Sequence, residues 1–376
     1  MIDIHVHLRD FEESHKETLA HGLMTAQGVG YAALFEMPNT QPPLTCRREI
    51  ERRIAFADQI RAVEEITVFH GMYAGLTEDP QQICEMITAV QELFPRVVGL
   101  KLYAGVSTGT LGIMTREGRR LIYRELVNSG YEGVLAVHCE DPSLFYRDDG
   151  LPHSLRRPPE AELASVSEQL DHAEEYGFTG HLHICHVTLT ESLDIIDARR
   201  GRLPCTVSTG VTPHHLLLSR DLEAQEDGYL YTVNPPLRDE SVRVALLDAV
   251  LAGRIDVLES DHAPHTLEDK RNGASGFPGI PGMLGALAYL VKHGIDGSLL
   301  TRMIFENPLD IFSMEPETIF KTLDGGGLHV TSGLIQMTNL FDLLTQRQWR
   351  TLCDRYNQYA EAYEWDPYVT VSRETF

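Results

Sequence analysis

Short runs rich in β-branched, aliphatic and aromatic residues, bounded by turn residues, recur along the chain and alternate with longer stretches of helical periodicity. The runs fall at Ile2–Leu8, Tyr31–Met37, Ile66–Tyr73, Val97–Ala104, Gly133–His138, His181–Val187, Pro204–Ser208 and Ile255–Ser260. Between them, Arg47–Glu65, Pro80–Phe94, Thr115–Ser129, Glu160–Tyr176, Leu189–Arg200 and Ser241–Ala252 are amphipathic enough to form helices. Strand–helix alternation of this kind predicts an α/β fold, a (β/α)8 barrel of the TIM type; a doubly wound open sheet is the competing arrangement. The Gly- and Pro-rich stretch Glu268–Gly282 reads as a long loop over the rim after the eighth strand. Beyond about Gly325 the alternation stops, and the chain ends with a helix-like Phe341–Tyr363. The expected division is a barrel over residues 1–325 and a C-terminal helical extension, 326–376, packed on it.

Composition narrows the function. With 376 residues, 43% hydrophobic and 23% charged, the chain can bury a sizeable core. Its formal charge of −23 repels phosphate backbones and anionic membrane surfaces, which argues against nucleic-acid binding. No apolar run approaches the roughly 18 residues of a membrane helix, and the start lacks signal-peptide character, so the expected compartment is the cytoplasm. The six cysteines form no C-x-x-C pair and read as reduced thiols. Histidine is the unusual component, with 17 residues, several beside the β-type runs.

Barrel active sites lie at the C-terminal ends of the strands. There the sequence places His5 and His7, Asn39, His138, His186 and Asp261. Strand alternation puts His5 and His7 on one face, half of a metal site. His181, His183 and His186 compete on the sixth strand; His186 is nearest the C-terminal end, and His183 is the alternative. Four imidazoles and a carboxylate suit zinc or a similar first-row ion. His262, His214 and His215 read as structural.

The motifs HVHLRD at His5–Asp10, MPNT at Met37–Thr40, GLKLYAG around Lys101, VHCED at His138, HVT at His186, TPHHLLLS, NPPLR and SDHAPH at Ser260–His265 occur in an order that resembles the amidohydrolase superfamily and, within it, the dihydroorotase family. The resemblance runs from residue 3 to about 282. It implies two divalent metal ions, zinc foremost: His5, His7 and Asp261 on one, His138 and His186 on the other, bridged by Lys101 carboxylated by CO2. It implies Asp261 as the catalytic proton acceptor and donor. Arg9 and Asn39, assisted by His265, would bind the substrate carboxylate, with backbone groups of Asn234, Leu237 and the loop near Ala274–Gly276 offered to the ring. The implied reaction is reversible cyclisation of N-carbamoyl-L-aspartate to L-dihydroorotate, in pyrimidine biosynthesis. A homodimer and association with aspartate transcarbamoylase are the partners implied. The alternatives are a hydantoinase-, dihydropyrimidinase- or allantoinase-like amidase, or an inactive scaffold. Unlike many superfamily members, the chain has its metal motif at residue 3, so a barrel without an N-terminal β-sandwich is expected.

Overall fold

The computed structural model describes residues 1–106, 109–321 and 354–368. Eight parallel strands run in sequential order: β1 Ile2–Val6, β2 Ala33–Glu36, β3 Phe69–Gly75, β4 Val97–Ala104, β5 Val134–Cys139, β6 His181–Ile184, β7 Thr206–Val211 and β8 Val257–Leu258. The residues after β8 return to β1 through a bridge between Val6 and His262, with His7 N donating to His262 O at 2.6 Å, which brings the sheet to a nearly closed barrel. The open sheet is thereby excluded.

The helices between strands are α1 Leu19–Val29, α2 Arg47–Val63, α3 Pro80–Leu93, α4 Arg116–Asn128, α5 His153–Arg156, α6 Pro159–Tyr176, α7 Thr190–Arg200, α8 Pro213–Leu217 and α9 Glu240–Leu251. After β8 come α10 Leu267–Arg271, α11 Gly279–Lys292, α12 Gly297–Thr301, α13 Asn307–Ile311 and α14 Pro316–Lys321. Alternating strand residues supply two cores. Leu34, Leu100 and Leu135 face the helix ring; Ile4, Phe35, Phe69, Tyr73 and Ala136 fill the barrel interior. Phe312, just past α13, stops the N-terminal end, with its ring 4.8 Å from Phe35 and 6.0 Å from Tyr73.

Two expectations change. Helix α1 was not legible in the alternation, and Glu268–Gly282 is not one long loop: α10 and α11 enter it, and Phe277–Gly282 is buried. Its glycines serve close packing. A Cβ on Gly279 would stand 2.3 Å from Ser260 O, and one on Gly282 would stand 2.3 Å from the Tyr368 ring. Residues 322–353, which include most of the expected Phe341–Tyr363 helix, lie outside the described residues; 354–360 is helical. No helix among the described residues is long and apolar enough to cross a membrane.

Candidate active site

The strand ends open into a cleft of about 410 Å3. His5 is the penultimate residue of β1 and His7 follows the strand, so the pleat turns both imidazoles into the cleft. Their Nε2 atoms lie 3.4 and 3.0 Å from Asp261 Oδ1. His7 Nδ1 is 2.6 Å from Asn39 Oδ1. With the Asn39 amide in this orientation its oxygen accepts from Nδ1, which leaves Nε2 facing Asp261.

His138, near the end of β5, and His186, beyond β6, approach one another with Nδ1 and Nε2 3.1 Å apart. Strand parity groups His181 with His183 and leaves His186 on the opposite face; the structure shows how His186 nevertheless enters the cleft. Strand β6 stops at Ile184, and His186 adopts φ 37°, a left-handed conformation that swings its ring inward. Asp261 has φ 44° for the same reason, two residues after Glu259. Strain at two cleft residues is retained where geometry matters. His183 turns away from the cleft, with Nδ1 2.8 Å from Ser208 Oγ and Nε2 3.2 Å from Glu259 Oε2.

Lys101 on β4 is fully buried, its Nζ donating to Cys185 Sγ at 3.1 Å. Among the described residues no carboxylate lies within ion-pair distance of it. Burial, aided by Lys101, pushes the His5 imidazole down to about 4, and burial lowers His138 and His186 as well. These rings are neutral near pH 7, the form that binds metals. Burial alone would raise the Asp261 carboxyl, but the His5 and His7 imidazoles outweigh it and hold it well below the carboxylate range. An ionised carboxylate beside two imidazoles is a donor set for a divalent ion: ligand atoms of His5, His7 and Asp261 lie within 4.8 Å of one another. His186 Nδ1 is buried without a hydrogen-bond partner. The residues therefore fit the metal centre the motifs imply.

The recognition side is Arg9, whose Nη2 is 3.2 Å from His265 Nε2. Arg53 of α2 fixes the backbone there, donating through Nη2 to Leu8 O at 2.9 Å and Arg9 O at 2.7 Å. Asn234 lines the cleft and receives a hydrogen bond from His153 Nε2 at 2.8 Å. Ser275 and Gly276 line it too, whereas the Leu237 side chain is wholly buried in the core. His214 packs against Phe277, His215 Nε2 is 3.0 Å from Pro235 O and His262 Nε2 is 3.0 Å from Glu17, as structural residues should be.

Several contributors escaped the sequence reading. Glu259 lies behind the imidazoles, 3.5 Å from His5 Nδ1, and accepts from His186 N at 2.6 Å. With His5 and Cys185 it forms a second cluster of ligand-capable atoms. Glu140 stands 3.0 Å from His138 Nε2 and is held by Arg157 Nε at 3.1 Å. The readable signal for Glu259 was a carboxylate inside an apolar strand, two positions before Asp261; buried charges need partners.

No family model matches the chain. Among solved structures, an L-hydantoinase from Arthrobacter aurescens superposes with a TM-score of 0.71 at 22% identity, over 83% of this chain and 70% of that one. A dihydroorotase from Saccharomyces cerevisiae in complex with 5-fluoroorotic acid superposes with a TM-score of 0.67 at 20% identity, over 85% of each chain. The fold is thus that of the TIM-barrel amidohydrolases. Curated relatives narrow it further. The dihydroorotase of Thermococcus kodakarensis is 33% identical over 320 residues, 84% of this chain and 68% of that protein. The dihydroorotase of Staphylococcus epidermidis is 32% identical over 361 residues, 92% and 78% of the respective lengths. The chain belongs to the dihydroorotase family.

Proposed function

We propose that this protein is a metal-dependent cyclic amidohydrolase that interconverts N-carbamoyl-L-aspartate and L-dihydroorotate. The observation that carries the substrate assignment is Arg9. Its guanidinium is only 2% exposed at the cleft, its nearest ion-pair partner, Glu13, is 3.9 Å away, and its Nε has no hydrogen-bond partner. A buried guanidinium so loosely paired is completed by a ligand carboxylate, which its planar fork matches. Dihydroorotate carries that carboxylate; hydantoins and dihydropyrimidines need not.

His5, His7 and Asp261 would hold one ion, and His138 and His186 the other, with zinc suited to these donors. Lys101, carboxylated on Nζ, would exchange a buried amine with no counter-ion among the described residues for two oxygens able to hold the ions. Bound ions of this kind polarise a carbonyl and bring water close to ionisation at neutral pH. Asp261, at Oδ1, takes the proton of the attacking water and returns it to the ring nitrogen as the C–N bond breaks; cyclisation runs the same transfers backwards. Arg9 and His265 orient the substrate carboxylate with Asn39, which also fixes His7. Asn234 and the Ser275–Gly276 backbone meet the ring.

The test is loss of dihydroorotate ultraviolet absorbance on adding the protein, before and after chelation and zinc return. Activity lost with chelator and regained with zinc supports both substrate and metal; turnover of uncharged cyclic amides alone would overturn the substrate assignment. A Lys101→Ala variant that keeps both ions in metal analysis would remove the bridge. The family resemblance also supports a place in cytoplasmic pyrimidine biosynthesis, a homodimer, and association with aspartate transcarbamoylase, which light scattering of the protein alone and mixed with that enzyme examines. The expected extension, 326–376, lies largely outside the described residues; we propose that its described part, 354–368, docks on the barrel. Contacts of 354–368 support it: Tyr363 Oη donates to Glu17 at 2.9 Å and Glu364 accepts from Leu267 N at 2.7 Å.

A further inference from the structure

Lys270 on α10 has no part in the chemistry above, yet it is completely buried. Among the described residues no carboxylate lies within ion-pair distance of it. Its Nζ donates to Thr232 O at 2.7 Å and to Gly276 O at 3.1 Å, and it sits 5.3 Å from the Phe277 ring centroid and 5.1 Å from that of Trp365. Burying an ammonium without a counter-ion costs several kcal/mol, so what it holds has to be worth that cost.

Each contact leads to the recognition side of the cleft. Thr232 precedes Val233 and Asn234, which line one wall; Gly276 lies in the other wall, and its own N donates to Thr232 O at 3.1 Å. Trp365 Nε1 donates to His265 O at 3.3 Å, and the His265 ring faces Arg9. Two loops and the C-terminal segment thus meet on one amino group. Burial pushes that amine down to about 7, and it keeps its N–H donors on either side of that value.

The geometry points to Lys270 as a positioning residue whose amino group staples the 232–234 and 275–276 segments, braced by Trp365, into the frame that presents Arg9, His265 and Asn234 to the substrate. This rests on the carboxylate-binding reading of Arg9, and the test separates the two. Hydrogen–deuterium exchange of the metal-loaded protein is compared with that of Lys270→Met. Residues 230–236 and 273–278 should exchange about tenfold faster, the equivalent of one net hydrogen bond, while the strands stay unchanged. Metal content should be equal, and KM for dihydroorotate should rise about tenfold with kcat within about a factor of two. Unchanged exchange in both loops, or a fall in kcat at constant KM, overturns the assignment. If the wild type leaves dihydroorotate untouched, the substrate reading fails while the exchange data still decide the staple. Should Lys270→Met not fold, Trp365→Phe keeps the lysine and removes only the indole N–H. It should quicken exchange around 263–269 and raise KM about threefold, and no change in either overturns the bracing.

Discussion

The two sides of the cleft are built by different means. On the metal-donor side, imidazoles and a carboxylate sit at or just beyond strand ends, backed by other side chains: Glu259 behind His5, Glu140 behind His138, Asn39 behind His7. On the recognition side, Asn234, Ser275 and His265 ride on loops, and what holds those loops is backbone carbonyls meeting buried cations. Arg53 grips Leu8 O and Arg9 O; Lys270 grips Thr232 O and Gly276 O. On the proposed reading, chemistry that must not shift is given to the sheet, while substrate choice is given to loops whose shape is imposed from beneath.

The contrast can be broken at several points. Asp261→Asn removes the proton acceptor from the donor side and should lower kcat by roughly 10^3-fold in the absorbance assay; retention of most activity would relocate the proton step. Arg9→Met acts on the other side. It should cost roughly 10- to 100-fold in kcat/KM for dihydroorotate and spare an uncharged cyclic amide, and equal losses on both substrates would remove the carboxylate role. Glu259→Gln should weaken metal retention by about 10- to 100-fold in chelator competition, with KM little changed. The last test reads stability rather than turnover and concerns Lys270. Burial sets its folded pKa at about 7 against an ordinary 10.5, so between those values the unfolded chain binds the extra proton and stability rises with pH. Urea midpoints of wild type relative to Lys270→Met should therefore climb from pH 7 toward 10, by at most about 1.4 kcal/mol per unit. Parallel profiles would mean the amine is solvated.

Legibility follows the same division. Seven strands were readable as short apolar runs with turn residues at their ends, and His5 and His7 followed from the two-residue pleat; the seventh run, Pro204–Ser208, meets only the start of β7, whose Thr, Ser and Gly residues blur its apolar pattern. His186 was readable only by its nearness to the strand end, since its entry into the cleft depends on a backbone conformation that alternation does not encode. Glycine misled in α11, where Gly282 read as part of a loop but gives way to Tyr368; in α1, Gly28 likewise makes room for the C-terminal segment, since a Cβ there would stand 1.8 Å from Tyr359 Oη. Lys270 carried no signal at all, because one of its carbonyl partners is 38 positions away and any residue could have supplied it.

Among the described residues, Phe312 stands at the end of the barrel opposite the cleft. With Phe35 and Tyr73 it fills that end with aromatic rings, so on the proposed reading ions, substrate and chelator reach the centre through the cleft that Arg9 lines. Order of arrival then matters: ions enter an empty vessel, and an occupant seated against Arg9 stands in the way of anything coming to fetch them. A carboxylate-bearing substrate analogue thus doubles as a cork, slowing the loss of metal from a centre it does not itself ligate.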